Sequence, residues 1–234
     1  MTTQPPALHD DLPVPSTVLL RRPSVVVAVV GAAVALGVLV AINPSWLAGV
    51  DKPTSKWARA LGAHDFFATA TEIGSTYLWI PLVLVFAAAL WRRCPSFAFT
   101  LPVVLASAMV VDFALKLIVD RPRPPGTLVS TGLSSYPSGH VIVAVAMLGL
   151  LPPVTWILSN HRWLFRVAVG TMFAGVAVVA FSRVNLGAHW PSDVAASFVI
   201  GAALLLLAEF LARRTWRAAP NHTCRMHPGE GPVS

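Results

Sequence analysis

The chain has 234 residues, 56% of them hydrophobic and only 12% charged, with a mean hydropathy of +0.69. A soluble domain carries about 25% charged residues, so the bilayer is the expected solvent. The formal net charge of +7 comes from short basic clusters between apolar runs. No basic stripe or RNA-binding signature accompanies them, which argues against nucleic acid as a partner.

Residues 1–20 are rich in proline and polar groups and read as a disordered tail. The first apolar run, 24–42, follows Arg21 and Arg22 and has no small-residue cleavage site behind it, so it reads as a retained anchor rather than a signal peptide. In 53–74, Trp57, Leu61, Phe66 and Phe67 are interleaved with charges, the pattern of a helix lying in the membrane interface. Further apolar runs follow at 73–91, 95–116, 139–159, 164–182 and 192–212. Each approaches the roughly 20 residues that cross a bilayer core. Residues 214–234 read as a second disordered tail; His222, Cys224 and His227 within it are taken as tail residues rather than a metal site. Cys94 and Cys224 are too few for a disulfide framework. The expected fold is therefore all-α: a six-transmembrane-helix bundle with an interfacial helix between the first and second spans, in one domain over 21–213.

Arginines set the expected orientation. With the N-terminus inside, Arg21 and Arg22, Arg92 and Arg93, Arg162 and Arg166, and Arg213, Arg214 and Arg217 all fall on the cytoplasmic side. Arg121, Arg123 and Arg183 fall outside, against the rule, and need another reason to be there.

Three stretches meet on that outer face: "KLIVDRPRP" (116–124), "YPSGH" (136–140) and "SRVNLGAHWPSD" (182–193). They collect Lys116, Arg121, Arg123, Arg183, His140, His189 and Asp193 at one membrane level. Singly, each has a plain reading. Arginines anchor to headgroups, an interfacial histidine is more often structural, and Asp193 suits the positive end of a helix. Jointly those readings fail, because uncompensated cations repel across a small rim and a shared anion resolves this. Pro137 suits a first helical turn, and Gly139 lets a ligand approach the backbone. The free N–H groups there, with the Ser138 hydroxyl, form an anion site. His140 stands beside it as a proton donor or acceptor.

These stretches resemble the signature of the type 2 phosphatidic acid phosphatase family. Its first motif, a lysine, six residues, then Arg-Pro, matches Lys116 with Arg123 and Pro124; the extra Arg-Pro at Arg121 has the wrong spacing. Its second, Pro-Ser-Gly-His, matches Pro137 to His140, and its third matches Ser182, Arg183, His189 and Asp193. The resemblance covers most of 24–212 and implies a phosphohistidine mechanism. In it His189 attacks phosphorus, Asp193 holds the other ring nitrogen, and His140 protonates the leaving oxygen and then activates water. Lys116, Arg123, Arg183, Ser138 and the Gly139 amide clamp the phosphate oxygens. Asp112, one turn before Lys116, is expected to aim that ammonium, or else to make an interhelical hydrogen bond. No metal and no cofactor is expected.

Rival readings are a Ser138–His189–Asp193 hydrolase, which lacks a Gly-x-Ser-x-Gly elbow, and a metal hydrolase on His140, His189 and Asp193. A transporter is the non-enzyme rival, although transporter sites lie near the midplane. The vanadium haloperoxidases, which resemble the family at the same residues, are not membrane-embedded in this way. A lipid phosphate is the expected substrate, with a polyprenyl diphosphate of the undecaprenyl type preferred on the outer leaflet. Phosphatidate or phosphatidylglycerophosphate is the alternative.

Overall fold

A computed structural model describes residues 23–42, 45–132 and 134–218. The expected N-terminal tail, most of the C-terminal one, and Arg21, Arg22, His222, Cys224 and His227 lie outside the described residues. Among those described, every regular element is helical: α1 (Pro23–Ile42), α2 (Ser45–Ala60), α3 (His64–Ala70), α4 (Thr76–Trp91), α5 (Pro95–Ile118), α6 (Gly139–Gly149), α7 (Leu151–Ser159), α8 (Arg162–Asn185) and α9 (Pro191–Ala218). A 3-10 turn, Thr71–Gly74, joins α3 to α4. α9 thus runs several residues into the segment expected as tail.

The stretch 139–159 is two helices rather than one. Pro152 and Pro153 lack the N–H of a continuing helix, and their rings clash with carbonyls one turn back. The chain breaks at Gly149 and resumes at Leu151. Together α6 and α7 still form one apolar path of 21 residues. Counting it, four helical stretches among the described residues are long and apolar enough to cross a membrane, and up to six if each of two bent pairs is one span. One pair is Val27–Ile42 with Trp46–Ala60, bent by 91°; the other is His64–Gly74 with Thr76–Trp91, bent by 41°.

α6 is the centre of the bundle. Val141, Ile142, Ala144 and Ala146 are all 0% exposed, and α5, α8 and α9 pack around them, with α1 lying against α9. The outer helices turn Leu84, Val85, Val110, Phe113 and Phe173 outward, each more than half exposed. An exposed apolar belt of this extent suits lipid rather than water.

α2 buries Leu47, Asp51, Ser55 and Ala58, a stripe at helical spacing, and exposes Trp46, Val50 and Trp57. It ends where Gly62 and Ala63 take left-handed backbone. Asn185, at the end of α8, donates its amide to the Ala58 and Gly62 carbonyls at 2.7 and 3.0 Å, and its Oδ1 lies 3.0 Å from His64 Nδ1. This clamp fixes α2 against the α8–α9 turn. At the other end of the bundle, Arg93 Nη1 donates to the Leu158 carbonyl at 2.5 Å.

Candidate active site

Helix ends bring the predicted residues to one end of the bundle. Lys116 lies in the last turn of α5, Ser138 caps α6, Arg183 lies in the last turn of α8, and Asp193 lies in the first turn of α9. Arg123 comes from the long α5–α6 loop and His189 from the short α8–α9 turn.

His189 is almost wholly buried. Its Nδ1 lies 2.5 Å from the Ser135 carbonyl. A carbonyl only accepts, so Nδ1 carries the proton and Nε2 keeps a lone pair. That Nε2 is 3.5 Å from Arg123 Nη1. Asp193 Oδ2 is 4.0 Å from Nδ1, beyond hydrogen-bond range. Burial holds the His189 pKa well below its ordinary 6.5, and the Arg183 and Arg123 cations push the same way. The imidazole is therefore neutral at physiological pH.

Arg123 is held by three backbone carbonyls: Nε to Gly132 at 3.0 Å, Nη1 to Ala188 at 2.6 Å and Nη2 to Ser134 at 2.7 Å. Burial lowers its pKa, and the more distant Asp193 and Asp112 only partly offset this. Arg183, 5% exposed, donates Nη1 to Thr71 Oγ1 at 3.0 Å, while its Nε is buried with no partner. Ser138 Oγ is also buried without one, although the Ser138 N–H donates to Ser197 Oγ at 2.8 Å. A buried donor left without an acceptor is costly unless a ligand supplies one.

Lys116 Nζ meets both Asp112 oxygens, at 2.7 and 2.6 Å. Gly139 lies directly against that carboxylate: a Cβ there would stand 2.8–2.9 Å from its atoms. A cavity of about 520 Å³ opens here, lined by Asp112, Lys116, Gly139, His140 and Arg183 on its polar side and by Ala108, Met109 and Val143 on its apolar side. Arg123, His189 and Asp193 are not part of that lining.

Three side chains that the motif reading set aside or passed over complete the picture. Arg121, 6% exposed, donates Nη1 to Asp193 Oδ1 and Nη2 to Asp51 Oδ2, the latter at 2.7 Å. Ser192 donates its N–H to Asp51 Oδ1 at 2.9 Å and its hydroxyl to Oδ2 at 2.7 Å. Asp193 Oδ2 accepts the Trp190 N–H at 2.9 Å. The second Arg-Pro was the visible signal for Arg121. For Asp51 the signal was weaker, a carboxylate at helical spacing between Leu47 and Ser55.

Two of the rivals, the serine hydrolase and the metal hydrolase, fit this geometry poorly. His189 has no hydrogen bond to Ser138, and Asp193 faces Arg121. Among the described residues, no three His, Cys, Asp or Glu side chains are grouped to share a metal ion.

The chain is similar to known proteins over the same region. It is 26% identical over 145 residues to an undecaprenyl-diphosphatase of Sulfolobus acidocaldarius, covering 59% of this chain and 65% of that one, so the match spans less than two thirds of that relative's length. It is 25% identical over 182 residues to phosphatidylglycerophosphatase B of Bacillus subtilis, covering 72% of this chain and 86% of that one. The crystal structure of a transmembrane PAP2 type phosphatidylglycerolphosphate phosphatase from Bacillus subtilis superposes with a TM-score of 0.70 at 22% identity, covering 81% of this chain and 96% of that one, a likeness of fold. Residues 97–217, just over half of the chain and holding all three motifs, match the PAP2 superfamily, and to that family this membrane protein belongs.

Proposed function

We propose that the protein is a membrane phosphatase that removes a phosphate from a lipid phosphate or diphosphate through a phosphohistidine. One observation carries this reading. The nitrogen of His189 that keeps its lone pair faces Arg123, a guanidinium held only by carbonyls, so nucleophile and uncompensated cation adjoin. Nε2 attacks phosphorus and forms the N–P bond as the P–O bond to the lipid breaks. His140 gives its proton to the departing oxygen. Water then attacks phosphorus while His140 takes a proton back, and the N–P electron pair returns to Nε2 as inorganic phosphate leaves. Arg123, Arg183, Ser138 and the Gly139 amide hold the equatorial oxygens, where negative charge gathers. Lys116 joins them under Asp112, and Asp193 supports the charge that develops on His189.

The finer topology belongs to the same proposal. Each bent pair contributes one span, α1 from the first and α4 from the second, giving six, and α2 lies at the headgroup level. The basic turns at Arg92 and Arg93 and at Arg162 and Arg166 mark the cytoplasmic end, so the site opens outward with both termini inside. Ser135 is 0% exposed and cannot report the side, whereas Thr127 is exposed in the same loop. A membrane-impermeant maleimide on intact cells should label Thr127→Cys; protection until lysis reverses the orientation.

The apolar wall beside His140 suits a lipid whose tail stays in the bilayer, and a polyprenyl diphosphate is the preferred substrate. The names of the two relatives divide between that substrate and phosphatidylglycerophosphate. Phosphate release in matched micelles, ranked by kcat/KM, decides between them and phosphatidate. The mechanism is tested by rapid quench with a ³²P-labelled lipid. The protein should carry an alkali-stable, acid-labile label, and His189→Ala should lose both it and turnover by at least about 10⁴-fold. Turnover retained in that variant overturns the reading. Activity that vanishes on chelation and returns with zinc favours a metal site instead, and uptake without phosphate release favours a transporter.

A further inference from the structure

Behind His189 lies a closed set of charges that the phosphate clamp does not use. Asp51 is 2% exposed, Arg121 6% and Asp193 0%. They come from α2, the α5–α6 loop and α9, and Ser192 hydrogen-bonds to both Asp51 and Arg121.

A lone buried carboxylate needs a partner. Arg121 is that partner for Asp193, but a one-to-one pair would cancel the charge that Asp193 presents to His189. Asp51 changes this. It takes the second arm of the same guanidinium, and with two carboxylates on one cation the set carries a net negative charge. Of the other cations, Arg123 stands against Nε2, the nitrogen that would meet phosphorus. The ring becomes positively charged when Nε2 is phosphorylated, and the net negative set is the counterweight directly behind it. Arg121 also fixes where that charge sits, since it holds Oδ1 while the Trp190 N–H holds Oδ2.

We propose that Asp51 and Arg121 are positioning residues of the catalytic apparatus, holding Asp193 in place and keeping its negative charge effective at His189. α2 is then part of the active site although none of its residues touches phosphate. This rests on the phosphohistidine reading of His189 and Asp193.

The test is a double-mutant cycle on the full-length protein in detergent, using a lipid phosphate that the wild type hydrolyses. Asp51→Asn keeps the shape and removes the charge. It should lower kcat by roughly 10-fold to 100-fold, the size seen when groups behind a catalytic residue are removed, with KM within about 2-fold. In an Asp193→Asn background the same change should cost nothing further, because its effect passes through Asp193. Additive losses in the two backgrounds, or an unchanged kcat in folded Asp51→Asn, overturn the proposal. If Asp51→Asn does not fold, Ser192→Ala decides: it leaves both ion pairs standing, and should show the same pattern at smaller size. Full activity of His189→Ala or Asp193→Asn would instead sink the phosphohistidine reading, which separates the two failures.

Discussion

Arg121 and Arg123 are two residues apart, each followed by proline, and the fold uses them in opposite ways. Arg121 sits behind His189, gripped by two carboxylates, and its charge is fully answered by protein. Arg123 sits in front, gripped by three carbonyls, which orient a guanidinium without neutralising it. A cation held by dipoles keeps its field for a ligand, whereas one held by carboxylates serves as structure. The partner, more than the residue type, decides whether an arginine keeps its charge available to an anion.

Front-side charge should matter most. Arg123→Gln removes the cation facing Nε2, and kcat/KM should fall by roughly 10²–10³-fold, as for loss of one transition-state donor. Orthovanadate, a phosphate mimic, should inhibit the variant less. Arg123→Lys should recover only part of the loss, since an ammonium cannot meet three carbonyls and a phosphate together. If Arg123→Gln is no worse than a change at an exposed arginine such as Arg92, the front–back distinction collapses.

Gly139→Ala probes the floor of the clamp. Its methyl would press on the Asp112 carboxylate and displace the Lys116 ammonium bound to it. A displacement of that kind should cost activity by about 10-fold to 100-fold. Asp112→Ala should remove the obstruction, so the double variant should be no slower than Asp112→Ala alone. A double variant that is much slower would place the role of Gly139 in its backbone amide instead.

The smallest effect concerns stability. With its pKa held well below 6.5 in the folded protein, His189 binds fewer protons there than in the unfolded chain. Its contribution is therefore present above about pH 6.5 and is lost as pH falls toward the folded value. Between about pH 7.5 and 5.5 the melting temperature of the wild type should fall, and His189→Asn should flatten that fall by on the order of 2–4 °C. Parallel curves would mean the burial of His189 is relieved on acidification.

The helical class and the motif positions were legible because each motif sits at the end of an apolar run. The break at Pro152 and Pro153 was legible too, but hydropathy alone joined the two halves. The interfacial segment was placed at 53–74, yet α2 begins at Ser45. Its buried stripe mixes Leu47 and Ala58 with Asp51 and Ser55, which dilutes an apolar period. Spacing also discarded Arg121, since a motif encodes distance along a chain and says nothing of a carboxylate from a distant helix. The Ser135 carbonyl on Nδ1 was out of reach altogether: backbone acceptors leave no letter in a sequence. Asp51 stands outside the region that matches the superfamily.

The packing of α1 on α9 has a consequence for biosynthesis. Asp51 precedes Ser192 by 141 residues, so at about 5–20 residues per second translation holds the carboxylate waiting roughly 7–28 s for its partners. A buried-charge stripe is tolerable meanwhile only where water and headgroups reach it, which suits a helix bent away from the bilayer core. The ring of helices closes when the last span docks, and that same event delivers Ser192 and Asp193. A chain made only as far as Asn185 therefore already holds Asp51, Lys116, Arg121, Arg123 and Arg183 but lacks His189 and Asp193, and the proposed nucleophile arrives with the final helix.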